Sequence, residues 1–413
     1  MKKMFRDAKT LAVSGSLRRK IILLGLAAGL PAPLYGLGFL IPNQDAAAIA
    51  RGNAFAATAD DPAAIFYNPA GISQLRGTEI QIGALNYLGI DASYHSPAGA
   101  SADNKFQVLT VPQIYITYSP TNSPLSFGLG VYSPFGLAVE WQNNSVLRPA
   151  AIDSKLTFLT VNPVVSWQVN KTLSLAVGPT INYAKIQFSR GLFSAADTYD
   201  FSGSDDTAGL TAGVLWQPCS QWSFGATYRL ATQMDFKGDS TYQIKSGSGI
   251  AAANTTADVP FPQIFSGGIS YRPDPKWNLE FDVDYIDWNI GAVALTGTKN
   301  IFGVNLPLAL DWHPSWQYKF GVTRQLGHGW FVSAGYFFSS DTTSTANFTP
   351  AVPDSDLHVG SLGVGHRGGH WEWALAAQAI GGFSRNIPAA AGPAAGSYQI
   401  FTPAVTLSVG YRF

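Results

Sequence analysis

The chain has 413 residues, with 26 basic and 26 acidic side chains and a formal net charge of zero at pH 7. A neutral chain lacks the basic surface that marks nucleic-acid-binding proteins, so no nucleic-acid partner is expected. Only 13% of the residues are charged, about half the usual share in a soluble domain, and another 13% are aromatic, which favours a surface facing lipid rather than water.

Residues 1–36 have the pattern of a secretory signal peptide. Seven basic residues lie among the first twenty, and the apolar run Ile21 to Leu30 follows and ends at two prolines. The alternative is a transmembrane anchor from Ile21 to Ile41. The short run and the prolines argue against it, because a spanning helix needs roughly 18 or more apolar residues. We expect cleavage near Gly36.

Residues 37–76 show no strand-like alternation. The stretch from Asp45 to Ala59 is predicted to be helical. Asp60 or Asp61 is predicted to cap a second short helix that begins at Pro62. An Asn-Pro-Ala turn follows. The small and apolar composition of this segment suits packing inside a larger structure.

Beyond residue 76 the sequence alternates between apolar and polar residues in segments of about ten residues, the period of a β-strand. In "WNLEFDVDY" the apolar face carries Trp277, Leu279, Phe281, Val283 and Tyr285. The other face carries Glu280, Asp282 and Asp284, which we expect to form a solvated lumen wall, with Arg229 or Arg272 as ionic partners. Aromatic residues repeatedly begin or end the apolar faces, as in strands that cross the lipid–water interface.

The pattern predicts an all-β fold, a 14-stranded antiparallel transmembrane β-barrel over residues 77–413. The expected strands are 79–95, 106–119, 124–133, 155–169, 173–189, 206–217, 222–236, 260–272, 277–289, 311–326, 330–339, 358–366, 371–381 and 398–413. Short turns follow the even strands, and links of about ten to twenty-five residues are expected after the odd ones, as in outer-membrane barrels. Residues 37–76 would then be an N-terminal plug, or hatch, containing short helices inside this barrel. An even strand number closes the sheet, and the terminal Phe413 is expected to be read by the barrel-assembly machinery.

The sequence has only weak matches to catalytic, metal-binding and cofactor-binding motifs. The single cysteine, Cys219, excludes an intrachain disulfide, and the six histidines form no metal-ligand pattern, so no metal and no cofactor are expected. The "GVGHRG" sequence matches a dinucleotide fingerprint but has no following helix. Ser361 and His366 lie on opposite faces of one predicted strand and cannot act together. We therefore expect no enzyme.

With these residues in view, the chain resembles the FadL/TodX family of outer-membrane transporters of long-chain fatty acids and aromatic hydrocarbons. Gly38 to Leu75 resembles the family's plug, and the triplet Asn68, Pro69 and Ala70 matches its plug motif. The stretch Gly128 to Trp141 and two later stretches are also similar. The resemblance extends over essentially the whole chain after residue 37.

The resemblance implies a ligand path from an apolar extracellular groove into the lumen, then through a lateral gap where the third strand is kinked. In this chain the kink would involve Gly128, Gly130, Pro134 and Gly136, because proline lacks a donor and glycine marks bends. The alternative is an ordinary strand end followed by a turn. The loops that would form the entry groove, 191–204 and 237–259, look polar, which leaves the groove open to question.

Three plug side chains, Phe66, Tyr67 and Ile72, are expected to supply apolar contact to the wall or to a ligand. The function implied is passive, plug-gated transport of hydrophobic compounds in the outer membrane of a Gram-negative bacterium. A general diffusion porin and a structural or adhesive barrel are the alternatives. The expected partners are a hydrophobic small molecule, outer-membrane lipid and lipopolysaccharide, and the protein is expected to be a monomer.

Overall fold

The computed structural model describes residues 37–89, 91–192, 197–244, 249–291, 293–298, 305–308 and 310–413. The predicted signal peptide lies outside the described residues. The described residues after 76 form a closed antiparallel barrel, and the prediction of fourteen strands is confirmed. Over the described residues, eight of the fourteen strands consist of two segments, so that the ladder contains twenty-two segments.

The barrel strands are numbered β1 to β14 in chain order. Their bounds are β1 Gly77–Leu88 and Asp91–His95; β2 Ser101–Asp103 and Val108–Ser119; β3 Leu125–Tyr132 and Gly136–Glu140; β4 Asp153–Gln168; β5 Leu173–Gly191; β6 Thr198–Trp216; β7 Trp222–Arg229 and Thr232–Ile244; β8 Gly249–Phe261 and Gln263–Tyr271; β9 Trp277–Asp287 and Val293–Thr296; β10 Leu306–Leu308 and Ser315–Gly327; β11 Trp330–Ser339; β12 Leu357–Arg367; β13 Trp371–Gly382 and Arg385–Ile387; β14 Gly396–Arg412.

The sheet closes between its first and last strands. β1 pairs with β14 in a register that runs from Glu79↔Arg412 to Tyr87↔Ala404. Closure satisfies the edge amides that lipid cannot hydrogen-bond. No helix in the described part of the chain has the length and hydropathy to span a membrane.

The two faces of the wall follow the predicted alternation. On β9, Leu279 is 43% exposed and faces outward, whereas Asp282, three residues further along the strand, is 1% exposed and faces inward. Exposed aromatic residues ring the short-turn end of the barrel, and Trp222 stacks there on Tyr271 with ring centroids 4.4 Å apart. The outer surface is therefore apolar with an aromatic border, as lipid contact requires.

Several strands extend further than predicted. Residues 198–205 and 237–259 were assigned to long polar loops, but most of them belong to the ladder of β6, β7 and β8. The links after β5 and β7 are correspondingly shorter than the expected ten residues. At these strand ends apolar side chains such as Tyr199, Phe201 and Phe236 face inward and polar side chains face outward, the reverse of the lipid-facing segments. The sequence therefore does not show the pattern of a membrane strand there, although the backbone pairing continues.

Residues 37–76, referred to below as the plug, lie inside the barrel and contain three short helical segments. These are α1 Ala46–Ala50, α2 Ala64–Tyr67 and the 3₁₀ helix Pro69–Gln74. Nearly all plug residues are buried. The contacts described below place the plug against the inner face of seven strands, namely β2, β3, β4, β6, β7, β9 and β12.

Both predicted helices are shorter than expected. α1 begins at its N-cap Asp45, whose carboxylate accepts the Ala48 N–H at 2.9 Å, but it ends well before Ala59. Gly52 and Asn53 adopt positive φ angles of 65° and 58°, and such left-handed residues end a helix.

The second helix begins at Ala64 rather than Pro62. The carboxylate of Asp61 instead caps the preceding turn, accepting the Ala63 N–H at 2.9 Å.

Candidate functional site

The Asn-Pro-Ala motif forms the start of the 3₁₀ helix and bonds to two other parts of the structure. Asn68 Oδ1 accepts the Ala70 N–H at 3.2 Å. Its Nδ2 donates to the Ala56 carbonyl at 2.7 Å and to the Val214 carbonyl of β6 at 3.0 Å. The proline occupies the first helical position, where its fixed φ fits and no amide is lost. The motif therefore joins the plug to itself and to the wall.

Small residues allow this turn to approach the wall closely. A Cβ at Gly213 of β6 would lie only 2.4 Å from Asn68 Oδ1, so a side chain there would displace the turn. Ala70 is fully buried, and its carbonyl accepts a hydrogen bond from the Ser166 hydroxyl of β4 at 3.2 Å.

The three side chains predicted to make apolar contacts have different environments. Ile72 is fully buried and packs against Gly128 of β3, where an added Cβ would lie 3.3 Å from its Cδ1. Phe66 is half-buried, edge-on to Tyr132 at 5.2 Å, and the Arg229 guanidinium lies 4.6 Å from its ring centroid. Arg229 therefore stacks on an aromatic ring instead of pairing with the acidic row of β9.

Tyr67 makes apolar contacts through its ring, which lies edge-on to Phe55 at 5.5 Å, and polar contacts through its hydroxyl. Tyr67 Oη accepts the Gln44 N–H at 3.0 Å and lies 2.9 Å from Asn53 Oδ1, to which it donates. Burial, above all, raises the pKa of this hydroxyl well above its usual value. Tyr67 thus links the Asn-Pro-Ala turn to the N-terminal part of the plug.

The acidic row of β9 is not a solvated wall, contrary to the sequence-based expectation. Asp282 Oδ2 accepts the N–H groups of Phe55 and Ala56 at 2.7 and 2.8 Å. Glu280 Oε1 accepts those of Ala57 and Thr58 at 2.7 and 3.1 Å. These four consecutive amides follow α1, so wall carboxylates replace the helical carbonyls that would otherwise satisfy them.

Ion pairs complete the contact between plug and wall. Glu280 also binds Arg51 at 3.1 Å, and the third acid of the row, Asp284, pairs with Lys319 of β10 rather than with an arginine across the lumen. At the short-turn end, Asp60 forms a bidentate pair with Arg367 of β12, at 2.8 and 3.0 Å.

Burial by itself would raise the pKa of Asp60, but the Arg367 charge and hydrogen bonds outweigh it and lower that pKa to about 2. Asp60 is therefore ionised at neutral pH. The bidentate pair holds the part of the plug at the short-turn end of the barrel against β12.

The third strand is interrupted at residues 133–135, between its two segments. Pro134 and Gly136 lie at this interruption. Gly128 and Gly130 do not, because they pair without a break with Thr117 and Tyr115 of β2, and the expectation that they interrupt the strand fails. The plug presses its isoleucines on these two glycines, which explains why they lack side chains.

At the interruption the plug itself pairs with β3. Leu40 and Phe135 form an antiparallel bridge. The Ile41 N–H donates to the Pro134 carbonyl at 2.8 Å, and the Gly136 N–H donates to the Phe39 carbonyl at 2.8 Å. Plug residues thus satisfy backbone groups that a proline-containing segment cannot pair regularly.

The same region contains a gap in the wall between β2 and β3. Their ladder ends at Ile114↔Val131 and pairing resumes only at Asn104↔Trp141. Between these points no ladder pair joins the two strands, all of whose residues there are described. The plug segment 39–44 lies behind the gap and closes it from the lumen side.

Two cavities meet at this segment. A lumen cavity of about 50 Å³ is lined by Leu40, Phe66, Tyr67 and Arg229, among others. A second cavity of about 40 Å³ lies towards the long-loop end and is referred to below as the upper cavity. Its apolar walls include Phe39, Leu137, Phe188 and Val352, with Lys155 among its lining residues. With the plug in this position each cavity holds only a few water molecules, so a larger ligand can enter only when lining residues move.

The Asn-Pro-Ala motif and Pro134 are among the functional residues predicted from the sequence, and the plug connects them in the structure. The sequence indicated the carboxylates of β9 only as a solvated wall, and it indicated neither Gln44 nor the Asp60–Arg367 pair. Three inward-facing acids on one strand of a charge-poor chain were the available signal. Their partners, however, are backbone amides, which no side-chain pattern can reveal.

Known proteins resemble this chain in sequence, and solved structures resemble it in fold. A long-chain fatty acid transport protein of Escherichia coli K12 is 21% identical over 355 residues, which cover 75% of this chain and 79% of the relative. An outer membrane protein of Neisseria meningitidis serogroup B is 25% identical over 410 residues, covering 84% and 86%. The crystal structure of a Pseudomonas aeruginosa FadL homologue superimposes with a TM-score of 0.80 at 19% identity, covering 91% of this chain and all of that one.

The sequence model of one protein family matches residues 35–370, which is most of the chain. That family is described as outer membrane protein transport protein (OMPP1/FadL/TodX). The match includes the plug and twelve of the fourteen strands, so it does not rest on the barrel alone. The chain belongs to the OMPP1/FadL/TodX family of outer-membrane transport proteins.

Proposed function

We propose that this protein carries hydrophobic compounds across the outer membrane by passive diffusion, gated by the plug, with lateral exit between β2 and β3. One observation carries the proposal: the β2–β3 ladder is open from Ile114 to Asn104, and plug residues close the opening. A gap filled by a separate segment can open when that segment moves, without breaking the rest of the barrel.

The two cavities define the path. Phe39 lines the upper cavity and Leu40 lines the lumen cavity, and both residues pair with β3 around its interruption. A ligand that passes from one cavity to the other must displace this pair. The same displacement uncovers the gap, so entry into the lumen and exit into the membrane are coupled.

The proposed substrates are long-chain fatty acids or related hydrocarbons. The upper cavity is apolar, which suits an alkyl chain. Its one described lysine, Lys155, offers an ammonium group to a carboxylate, and its acidic neighbour Asp153 is 3.4 Å away. The E. coli relative named above is a long-chain fatty acid transport protein, which supports this choice.

An open diffusion porin and an adhesive barrel fit the structure less well. The lumen is occupied by a plug that bonds to several strands, and a porin for polar solutes needs a water-filled channel. An adhesive barrel has no need of the gap or of the two cavities. We assign no catalytic role, no cofactor and no metal to the chain.

Further parts of the proposal concern biogenesis. Residues 1–36 would be removed during export, leaving the plug at the N-terminus. Phe413 packs edge-on to Tyr411 at 4.8 Å and is 68% exposed, available to the assembly machinery. The closed barrel would function as a monomer surrounded by outer-membrane lipid and lipopolysaccharide.

A disulfide tests the gating mechanism. Leu40 and Phe135 face each other in an antiparallel bridge, the geometry in which paired cysteines can form a disulfide. In a Cys219→Ser background, the Leu40→Cys/Phe135→Cys variant should lose uptake of labelled oleate by cells when oxidised and regain it with dithiothreitol. Undiminished uptake by the oxidised variant would contradict gating by the plug.

A further inference from the structure

We infer that Gln44 is a positioning residue that fastens the plug to the interruption in β3 and thereby keeps the lateral gap closed. The inference rests on the plug-gated function proposed above and assigns its control to one side chain. Gln44 is fully buried, at the point where the plug leaves the β3 interruption and turns towards α1.

Gln44 bonds in four directions. Its Nε2 donates to the Ser133 carbonyl at 2.7 Å and to the Ile41 carbonyl at 2.9 Å. Its backbone N–H donates to Tyr67 Oη at 3.0 Å, and its carbonyl accepts the Tyr115 hydroxyl of β2 at 3.1 Å. One residue therefore contacts both strands that border the gap, as well as the plug helix α2.

The Ser133 contact is central to this role. Ser133 begins the interruption, where β3 has left its ladder with β2. Among the described residues, Gln44 is the side chain that reaches the Ser133 carbonyl. The backbone pairs of Phe39 and Ile41 extend the attachment, and the second Nε2 bond holds the Ile41 carbonyl in place.

The remaining contacts connect this attachment to the lumen cavity. Tyr67 and its neighbour Phe66 both line that cavity. A ligand entering the cavity can move the Tyr67 hydroxyl away from Gln44. The adjacent Asn68 donates a hydrogen bond to the Val214 carbonyl of β6, so the Asn-Pro-Ala turn stays attached to the wall while Tyr67 moves. Ligand entry is thereby transmitted from Tyr67 through Gln44 to Ser133.

Thiol labelling measures the state of the gap directly. The reporter is Ser133→Cys in a Cys219→Ser background, in purified protein treated with a maleimide of low molecular weight. Gln44→Leu removes both Nε2 hydrogen bonds and keeps a side chain of similar size. It should raise the labelling rate about tenfold, which corresponds to the net free energy of one to two hydrogen bonds. Tyr67→Phe removes only the hydroxyl and should raise it about threefold.

Gln74→Leu is the matched control. Gln74 also donates its amide to plug carbonyls, of Thr58 and Ala59, at 3.0 and 2.9 Å, but at the opposite end of the plug from the residues that bind the β3 interruption. Its labelling rate should stay within twofold of the parent. Parent-like rates in both Gln44→Leu and Tyr67→Phe, or an equal increase in Gln74→Leu, would overturn the assignment.

Oleate uptake by the same variants separates the two proposals. Faster labelling of Gln44→Leu without any uptake by the parent protein would support the positioning role and contradict the proposed transport. Normal uptake by the parent with unchanged labelling of Gln44→Leu and Tyr67→Phe would support transport and contradict the positioning role.

Discussion

Replacing Asp282 by alanine should release the plug while leaving the barrel intact. Asp282 accepts two plug amides, those of Phe55 and Ala56, at 2.7 and 2.8 Å. Phe55 is 1% exposed and Ala56 is 4% exposed, so water does not readily replace the lost acceptor. A buried amide left without a partner costs about 1–3 kcal/mol, which gives about 2–6 kcal/mol for the pair.

The lost free energy destabilises the contact between the plug and the wall. Strand pairing is unaffected, because Asp282 forms its ladder contacts through the backbone. Every 1.4 kcal/mol changes a population about tenfold, so even the lower bound raises the unseated fraction about thirtyfold. On a solvated lumen wall a substitution at Asp282 would be mild, whereas the two buried amides that Asp282 binds make its loss costly.

The assay is single-channel conductance in planar bilayers, with heat-modifiable gel mobility as the measure of an intact barrel. Asp282→Ala should show frequent openings that the parent lacks, at unchanged gel mobility. The matched control is Asp258→Ala, which removes an exposed carboxylate from β8. Parent-like conductance of Asp282→Ala, with plug amides exchanging as slowly as in the parent, would refute the anchoring role of the carboxylate.

Three further predictions concern the wall, the motif and pH. Phe281→Arg should cost about 2–4 kcal/mol of folding free energy in urea titrations in lipid, because the side chain faces hydrocarbon, and a cost near zero would mean that the face assignment is wrong. The double variant Asn68→Ala/Pro69→Ala should insert normally but take up less oleate, as measured in cells, because the bonds to Ala56 and Val214 are lost; unchanged uptake would leave the motif as a simple turn. Burial, together with the charges of Asp45 and Asp60, raises the pKa of Asp61, so the unseated plug releases this proton at lower pH than the seated plug. Plug protection in hydrogen exchange should therefore fall as pH rises above about 4, and Asp61→Asn should flatten that dependence; an unchanged pH dependence in Asp61→Asn would contradict the role of Asp61.

The sequence alone determined the strands and their two faces, since strand alternation is a local property, and the aromatic borders and alternating link lengths indicated a membrane barrel. Leu279 and Asp282 belong to opposite faces because successive side chains of a strand point apart, whatever lies beyond them. The position of the strand interruption was also local, because Pro134 has no N–H to donate. The Asn-Pro-Ala motif marked the plug through resemblance to a known family.

The strand ends were harder to predict for a physical reason. Around residues 198–205 the strands leave lipid, so the outward face becomes polar while Tyr199 and Phe201 face inward and the backbone ladder continues. Pattern-based prediction follows hydrophobicity, which lipid imposes only along the membrane-spanning part of the wall. Hydrogen bonding between the extended strands, which pattern does not record, decided where they end.

Only the tertiary structure decided how the plug is held. Asp282 meets the amides of Phe55 and Ala56 across 227 and 226 residues of chain, and Gln44 meets Ser133 across 89. A backbone amide has the same chemistry at every position, so the sequence carries no mark of which carboxylate or carbonyl it will face. α1 ends early for the same reason, since the wall supplies acceptors for the amides that a longer helix would have satisfied itself.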